Sequence, residues 1–308
     1  GCSSGAHPGW HQQWRGPLRE ALDWLREGLA QGYEDAAGEY VEDPWKARDH
    51  YISVILDRSV ESIEGFMTQH CHKARSPADN VRILKLLEIQ RQAMLMYTSC
   101  GWFFDEISGI ETVQIMQYAG RAIQLYQDVF GSDLESEFLE RLAHARSNIP
   151  EHGNGRRVYE KLVKPAMVDL KRVGAHYAIS SLFEDYAEKS SIFCCGVSQK
   201  EYHHRAAGSA KVAAGRVEII SGITQESENF RFGVFHMGDH QLACGLSRDL
   251  QERDFGDWVR QLLETFDHAD FTRIMQLMDD AFSGSLYSLK SLFRDGQRKI
   301  LHAILEKK

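Results

Sequence analysis

Apolar residues recur at helical spacing along most of the chain and switch to strict alternation in one stretch of its second half. From Pro17, Leu18, Leu22, Leu25 and Leu29 follow at steps of four, three and four, which places them on one face of a helix. Pro17 suits a first turn, where a missing N–H costs nothing, and Gly32 reads as the stop. Ser76, Pro77 and Asp79 form a start signal, since the hydroxyl and the carboxylate can satisfy free backbone N–H groups. Val81, Leu84, Leu87 and Leu95 then mark the buried face of a helix reaching Tyr97. A third helix is predicted from Ile110 to Phe130 with its stop at Gly131, and Ser132 with Glu135 reads as a capping box for a helix carrying Phe138, Leu139 and Leu142. The loop 151–155 follows, and Pro165 reads as the start of a long helix through Leu170, Val173, Tyr177 and Leu182.

Near residue 190 the period falls from 3.6 to 2. Phe230, Phe232 and Val234 alternate with Arg231, Gly233 and Phe235, so the first three should share a buried face and Arg231 should point outward. Together with the runs 192–197, 201–207, 211–223 and 241–246, this predicts a small antiparallel sheet. Helical spacing returns after Asp254, in Trp258, Leu262 and Phe266 and then Phe271, Ile274, Leu277, Met278 and Phe282. The predicted class is therefore α+β, mainly a helical bundle with an inserted antiparallel sheet. Its expected parts are an N-terminal segment and bundle over 1–188, a β module over 189–248 and helices over 249–308 that pack back on the bundle.

Composition narrows the possibilities. With 43% hydrophobic and 26% charged residues the 308-residue chain has the makings of a soluble globular protein with a sizeable core. A net charge of −8 disfavours nucleic acid and anionic lipid as partners. No apolar run approaches the roughly 18 residues of a bilayer span, and GCSSGAHPGW lacks a basic-then-apolar leader pattern, so a cytoplasmic protein is expected. A first residue of Gly1 and a last segment that stops inside an amphipathic pattern point to a fragment of a longer polypeptide. The six cysteines form no CxxC pair, and most of them read as small buried hydrophobes.

The chain contains no Walker loop, dinucleotide glycine fingerprint, HExxH or GxSxG element. His236 and His240 could hold a metal only if a turn folded them together, and polar decoration of that turn is the plainer reading. His203 and His204 are adjacent on a strand and should point to opposite faces. His70, Cys71 and His72 read as a helix end, and His176 as a core residue bonded to a neighbour. Neither a metal nor a cofactor is expected.

The link from Tyr97 to Gly109 differs in kind. It interrupts two strong helices with Trp102, Phe103 and Phe104 followed by Asp105 and Glu106. Sugar rings offer C–H faces to aromatics and hydroxyls to carboxylates, so Trp102, Phe103, Asp105 and Glu106 could form a saccharide subsite. Equally, the aromatics could be core and the acids the start of the next helix.

Residues 94–125, MLMYTSCGWFFDEISGIETVQIMQYAGRAIQL, resemble the last signature region of family 57 glycoside hydrolases, which lies in the helical bundle after the barrel. Ser99, Trp102 and Phe103 carry the match, while Gly101 stands where the family often has an acid and Cys100 is inserted in the run. Residues 1–29, 176–186 and 235–245 look like an uncharacterised subgroup of the same family, so the likeness covers essentially the whole chain. It implies a non-catalytic C-terminal region of a glycosidase or glucanotransferase acting on α-glucans, with the catalytic carboxylates in an N-terminal barrel of the same polypeptide. This region would buttress that barrel and line its cleft. The paired acids of a retaining mechanism cannot be assigned in this chain. A stand-alone carbohydrate-binding or scaffold module is the other reading.

Overall fold

A computed structural model describes residues 7–72, 75–250, 252–282 and 286–305. The chain divides into two compact units, Gly1–Met167 and Val168–Lys308.

The first unit is helical: α1 (Arg15–Ala37), α2 (Pro44–His50), α3 (Ile52–Leu56), α4 (Val60–His70), α5 (Pro77–Leu95), α6 (Ile110–Phe130), α7 (Glu135–Leu142) and the short α8 (Gly155–Val158). Leu18, Leu22, Leu25 and Leu29 of α1 are completely buried. Ser76 and Asp79 cap α5 reciprocally, and Gly131 ends α6 in the left-handed conformation at φ +66°. Two expectations need correction. Gly32 lies inside α1, where a Cβ would stand 2.6 Å from the Tyr126 ring; the missing side chain lets two helices approach. The cap of α7 is Asp133, whose Oδ1 accepts from the N–H groups of Glu135 at 2.8 Å and Ser136 at 3.3 Å, in place of Ser132.

Two cores fill this unit. One joins α1, α5, α6, α7 and α8 through residues such as Leu22, Met116, Phe138 and Val158. The other gathers Tyr33, Tyr51, Phe66 and Leu84 where α2, α3 and α4 close over the end of α1 and the start of α5. Burying this much apolar surface is the main drive toward these contacts.

The second unit opens with α9 (Leu170–Ser180), capped by Asp169, which accepts from the Arg172 N–H at 2.6 Å. Pro165 lies earlier, in a 3₁₀ turn at Lys164–Ala166, so the long helix expected from Pro165 is two elements. Strands β1 (Lys189–Ile192), β2 (Cys195–Ala207), β3 (Ala210–Ser221), β4 (Ser227–Gly238) and β5 (Gln241–Ser247) follow, then α10 (Glu252–Asp267), α11 (Phe271–Phe282), β6 (Leu286–Tyr287) and α12 (Arg294–Leu305). The six strands form one antiparallel sheet in sequence order.

Phe230, Phe232 and Val234 share one face, as alternation requires, and that face is covered by Tyr177 and Ala178 of α9 and Ile300 and Ile304 of α12. The other face buries Val212, Ala214 and Phe235 beneath Trp258 and Leu262 of α10 and Ile274, Met278 and Phe282 of α11. Helices α10 and α11 thus bury their apolar stripes on the sheet, and the compact units divide at Met167, so that α9 stands with the sheet. The reason lies in two glycines: Gly233 and Gly245 leave room for Trp258 and Phe282 to lie directly on the strand backbone. Among the described residues no helix is long and apolar enough to cross a membrane.

Candidate functional site

The aromatic link leaves α5 and enters a 3₁₀ turn at Ser99–Trp102. Gly101 is buried there because the Ile115 side chain of α6 stands 2.6 Å from where a Cβ would be, and its carbonyl accepts from Thr112 Oγ1 at 2.9 Å. An acid at this position would drive a charge into α6, which accounts physically for the glycine.

The four residues singled out from sequence fall into two groups. Phe103 is 45% exposed and its neighbour Phe104 52%, whereas Asp105 and Glu106 are each 7% exposed. Trp102 is half-buried against the bundle core, with the Arg19 guanidinium 5.5 Å from its ring centroid. Its Nε1 is buried and has no acceptor among the described residues. Arg19 also lies 4.8 Å from the Tyr97 ring, whose hydroxyl donates to Asp23 at 2.6 Å; burial and Asp23 hold that phenol well above its ordinary range.

The two carboxylates turn inward. Asp105 Oδ1 accepts from Gln12 Nε2 at 2.8 Å, and its carbonyl accepts from Trp14 Nε1 at 2.8 Å and Asn148 Nδ2 at 2.7 Å. Glu106 accepts from Ser147 Oγ at 2.5 Å, Asn148 N at 2.7 Å and Ser108 N at 3.1 Å. Asn148 completes the stitch: its Oδ1 accepts from His11 N at 3.1 Å, and its Nδ2 donates to His11 O at 2.8 Å. The acids therefore bind three chain segments together, around residues 11–15, 101–109 and 146–149, and are not aligned beside the exposed rings. Arg15 donates to the carbonyls of Phe103 at 2.9 Å and Phe104 at 3.0 Å, which fixes the backbone beneath the two exposed phenylalanines.

Phe104, Arg15 and Asn148 are thus part of the arrangement without having been picked out from sequence. Phe104 was visible in the aromatic run; nothing in the spacing could connect Arg15 to a carbonyl 88 residues away. What results is an exposed pair of aromatic rings on a hydrogen-bonded loop, able to stack on flat or ring-shaped ligands and without an exposed acid–base pair among the four predicted residues.

The histidines behave differently from one another. His236 is 4% exposed, its Nε2 3.1 Å from the Asp239 carbonyl, and with Phe183, Ser209 and Lys211 it borders a cavity of about 750 Å³. His240 is exposed. His203 meets Glu201 at 2.8 Å while His204 stacks on Tyr202, on the opposite face. His70 sits 3.1 Å from His50, and burial lowers its pKa. His176 is buried, its Nδ1 accepting from the Phe293 N–H at 3.5 Å, and burial pushes its pKa down to about 4. Among the described residues no group of three or more His, Cys, Asp and Glu is placed to hold a metal ion.

No curated protein matches this chain, and no solved structure does. A family profile does, over residues 10–293, a span that takes in the stitched N-terminal segment, the aromatic link, the whole sheet and both helices laid on its second face. The chain belongs to the family described as a domain of unknown function, DUF3536.

Proposed function

We propose that this chain is the non-catalytic C-terminal region of a family 57-type glycoside hydrolase, in which it buttresses the catalytic barrel of the same polypeptide and lines an α-glucan cleft. The DUF3536 family is associated with regions of family 57 glycoside hydrolases, and the signature-like stretch 94–125 lies within the matched span. The observation that carries the reading is the pinned aromatic loop. Phe103 and Phe104 stay exposed although the backbone beneath them is held by Arg15 and by the Asp105 and Glu106 stitches. Two exposed phenylalanines on an ordered loop cost solubility and gain nothing in the fold, so a ligand or a partner surface is the natural recipient.

In this reading the aromatic wall is centred on Phe103 and Phe104, with Trp102 as its buttress, and the two acids act by positioning. The test is steady-state kinetics on an α-glucan with the full polypeptide carrying Phe103→Ala and Phe104→Ala. The expected loss in kcat/KM corresponds to about 1 to 3 kcal/mol, the worth of lost aromatic contacts, with little change in melting temperature. Unchanged kinetics in the folded double variant would remove the cleft assignment. Calorimetric binding of a malto-oligosaccharide by the 308-residue chain alone, retained without any barrel, would favour the stand-alone binding module.

A further inference from the structure

The face of the sheet beneath α10 and α11 is apolar only as far as Gly233 and Gly245, where Trp258 and Phe282 lie on the backbone. One step along β4 on the same face comes Arg231. The β3–β4 register sets it directly opposite Arg216, and the β2–β3 register sets Arg216 opposite Glu201. Lys200 occupies the bulge in β2 that brings this row into line.

Like charges directly opposed across antiparallel strands are destabilising unless something lies between them. The available carboxylates are already taken. Glu201 Oε2 meets Arg216 Nε at 2.7 Å while its Oε1 meets His203 at 2.8 Å, and those two partners hold its pKa below the ordinary glutamate range. Glu218 pairs with Lys200 at 2.9 Å. The Arg231 side chain has no hydrogen bond or ion pair to another described residue, and its Nε is buried without an acceptor. Arg231, Arg216, Lys200 and Asn229 line a cavity of about 170 Å³. That room is more than one water needs, so a small oxyanion can enter where the extra positive charge lies.

We propose that this row is a binding site for a tetrahedral oxyanion, inorganic phosphate or the phosphate of a phosphomonoester, held by the Arg231 fork with Arg216, Lys200 and the Asn229 amide beside it. Arg is the suitable residue because its planar donors match a phosphate edge, which a lysine does not. Arg216 is offset by Glu201, so the cost that an oxyanion would relieve is the buried Arg231 Nε without an acceptor and the Arg231 charge facing a second guanidinium.

The test is isothermal titration of the 308-residue protein with inorganic phosphate and, separately, with glycerol phosphate, at an ionic strength fixed by sodium chloride. The expected result is saturable one-site binding with a Kd of about 1 mM or tighter. Arg231→Gln should weaken it at least about tenfold, Arg231→Lys should weaken it less, and Arg260→Gln, on the exposed side of α10, should leave it unchanged. Tighter binding of glycerol phosphate assigns the site to a phosphomonoester, and tighter binding of inorganic phosphate assigns it to the free ion; either supports the site. Circular dichroism checks each fold, and Arg231→Lys carries the comparison if the glutamine variant unfolds. Absence of saturable heat up to about 10 mM, or equal affinity in a folded Arg231 variant, overturns the proposal.

Discussion

Glu106 offers a sharp test of how the aromatic loop is built. Its carboxylate is 7% exposed and accepts from Ser147 Oγ, Asn148 N and Ser108 N. Glu106→Ala would strand those donors, above all the Asn148 N–H at 2.7 Å, in a site that water reaches poorly. Hydrogen bonds to a charged acceptor contribute roughly 1.5 to 3 kcal/mol each, but the exposed edges of the turn recover part of that by hydration, so a net loss of about 3 kcal/mol is expected. For a unit of this size that is roughly 6 to 12 °C in melting temperature. Phe103→Ala removes an exposed ring and should cost under about 1 kcal/mol. Differential scanning calorimetry of the two variants separates the roles, and the loop around Asn148 should lose amide-exchange protection only in Glu106→Ala. A Glu106→Ala protein as stable as the parent, yet impaired in saccharide binding, would refute the reasoning and return the carboxylate to the cleft.

Other consequences follow from burial. Leu25, completely buried in α1, should cost about 2 to 5 kcal/mol as Leu25→Ala in chemical denaturation, and a loss under about 1 kcal/mol would contradict the bundle packing. Gly245→Ala would put a methyl group into the Phe282 ring, and a destabilisation of about 1 to 3 kcal/mol with weaker near-ultraviolet aromatic signal is expected; a neutral variant would show that α11 does not rest on β5. His176 supplies a pH dependence: its folded pKa of about 4 lies below the unfolded value of 6.5, so the unfolded chain binds the extra proton. Its contribution is complete above about pH 6.5 and declines as pH falls toward 4, by up to about 3 kcal/mol, and His176→Gln should flatten the slope of unfolding free energy in that window. An unchanged slope would show that the imidazole is not buried as described.

The sequence by itself determined the elements whose signals are local. The capping box at Ser76, the left-handed stop at Gly131, the leucine stripe of α1 and the alternation through Phe230, Phe232 and Val234 all depend on neighbours a few residues away, which a periodicity records. It also marked the 97–109 link as unlike its surroundings. Only the tertiary structure decided what the link does. Asp105 and Glu106 look like ligand-facing acids until partners at Gln12, Trp14, Ser147 and Asn148 turn them inward, and Arg231 reads as an outward strand residue until register sets it opposite Arg216. Gly32 likewise reads as a helix stop, whereas it and Gly233 are each a place where a distant aromatic needs the backbone bare. Such contacts join residues tens of positions apart, where the energy depends on which surfaces the collapsed chain brings together and no local spacing can encode it.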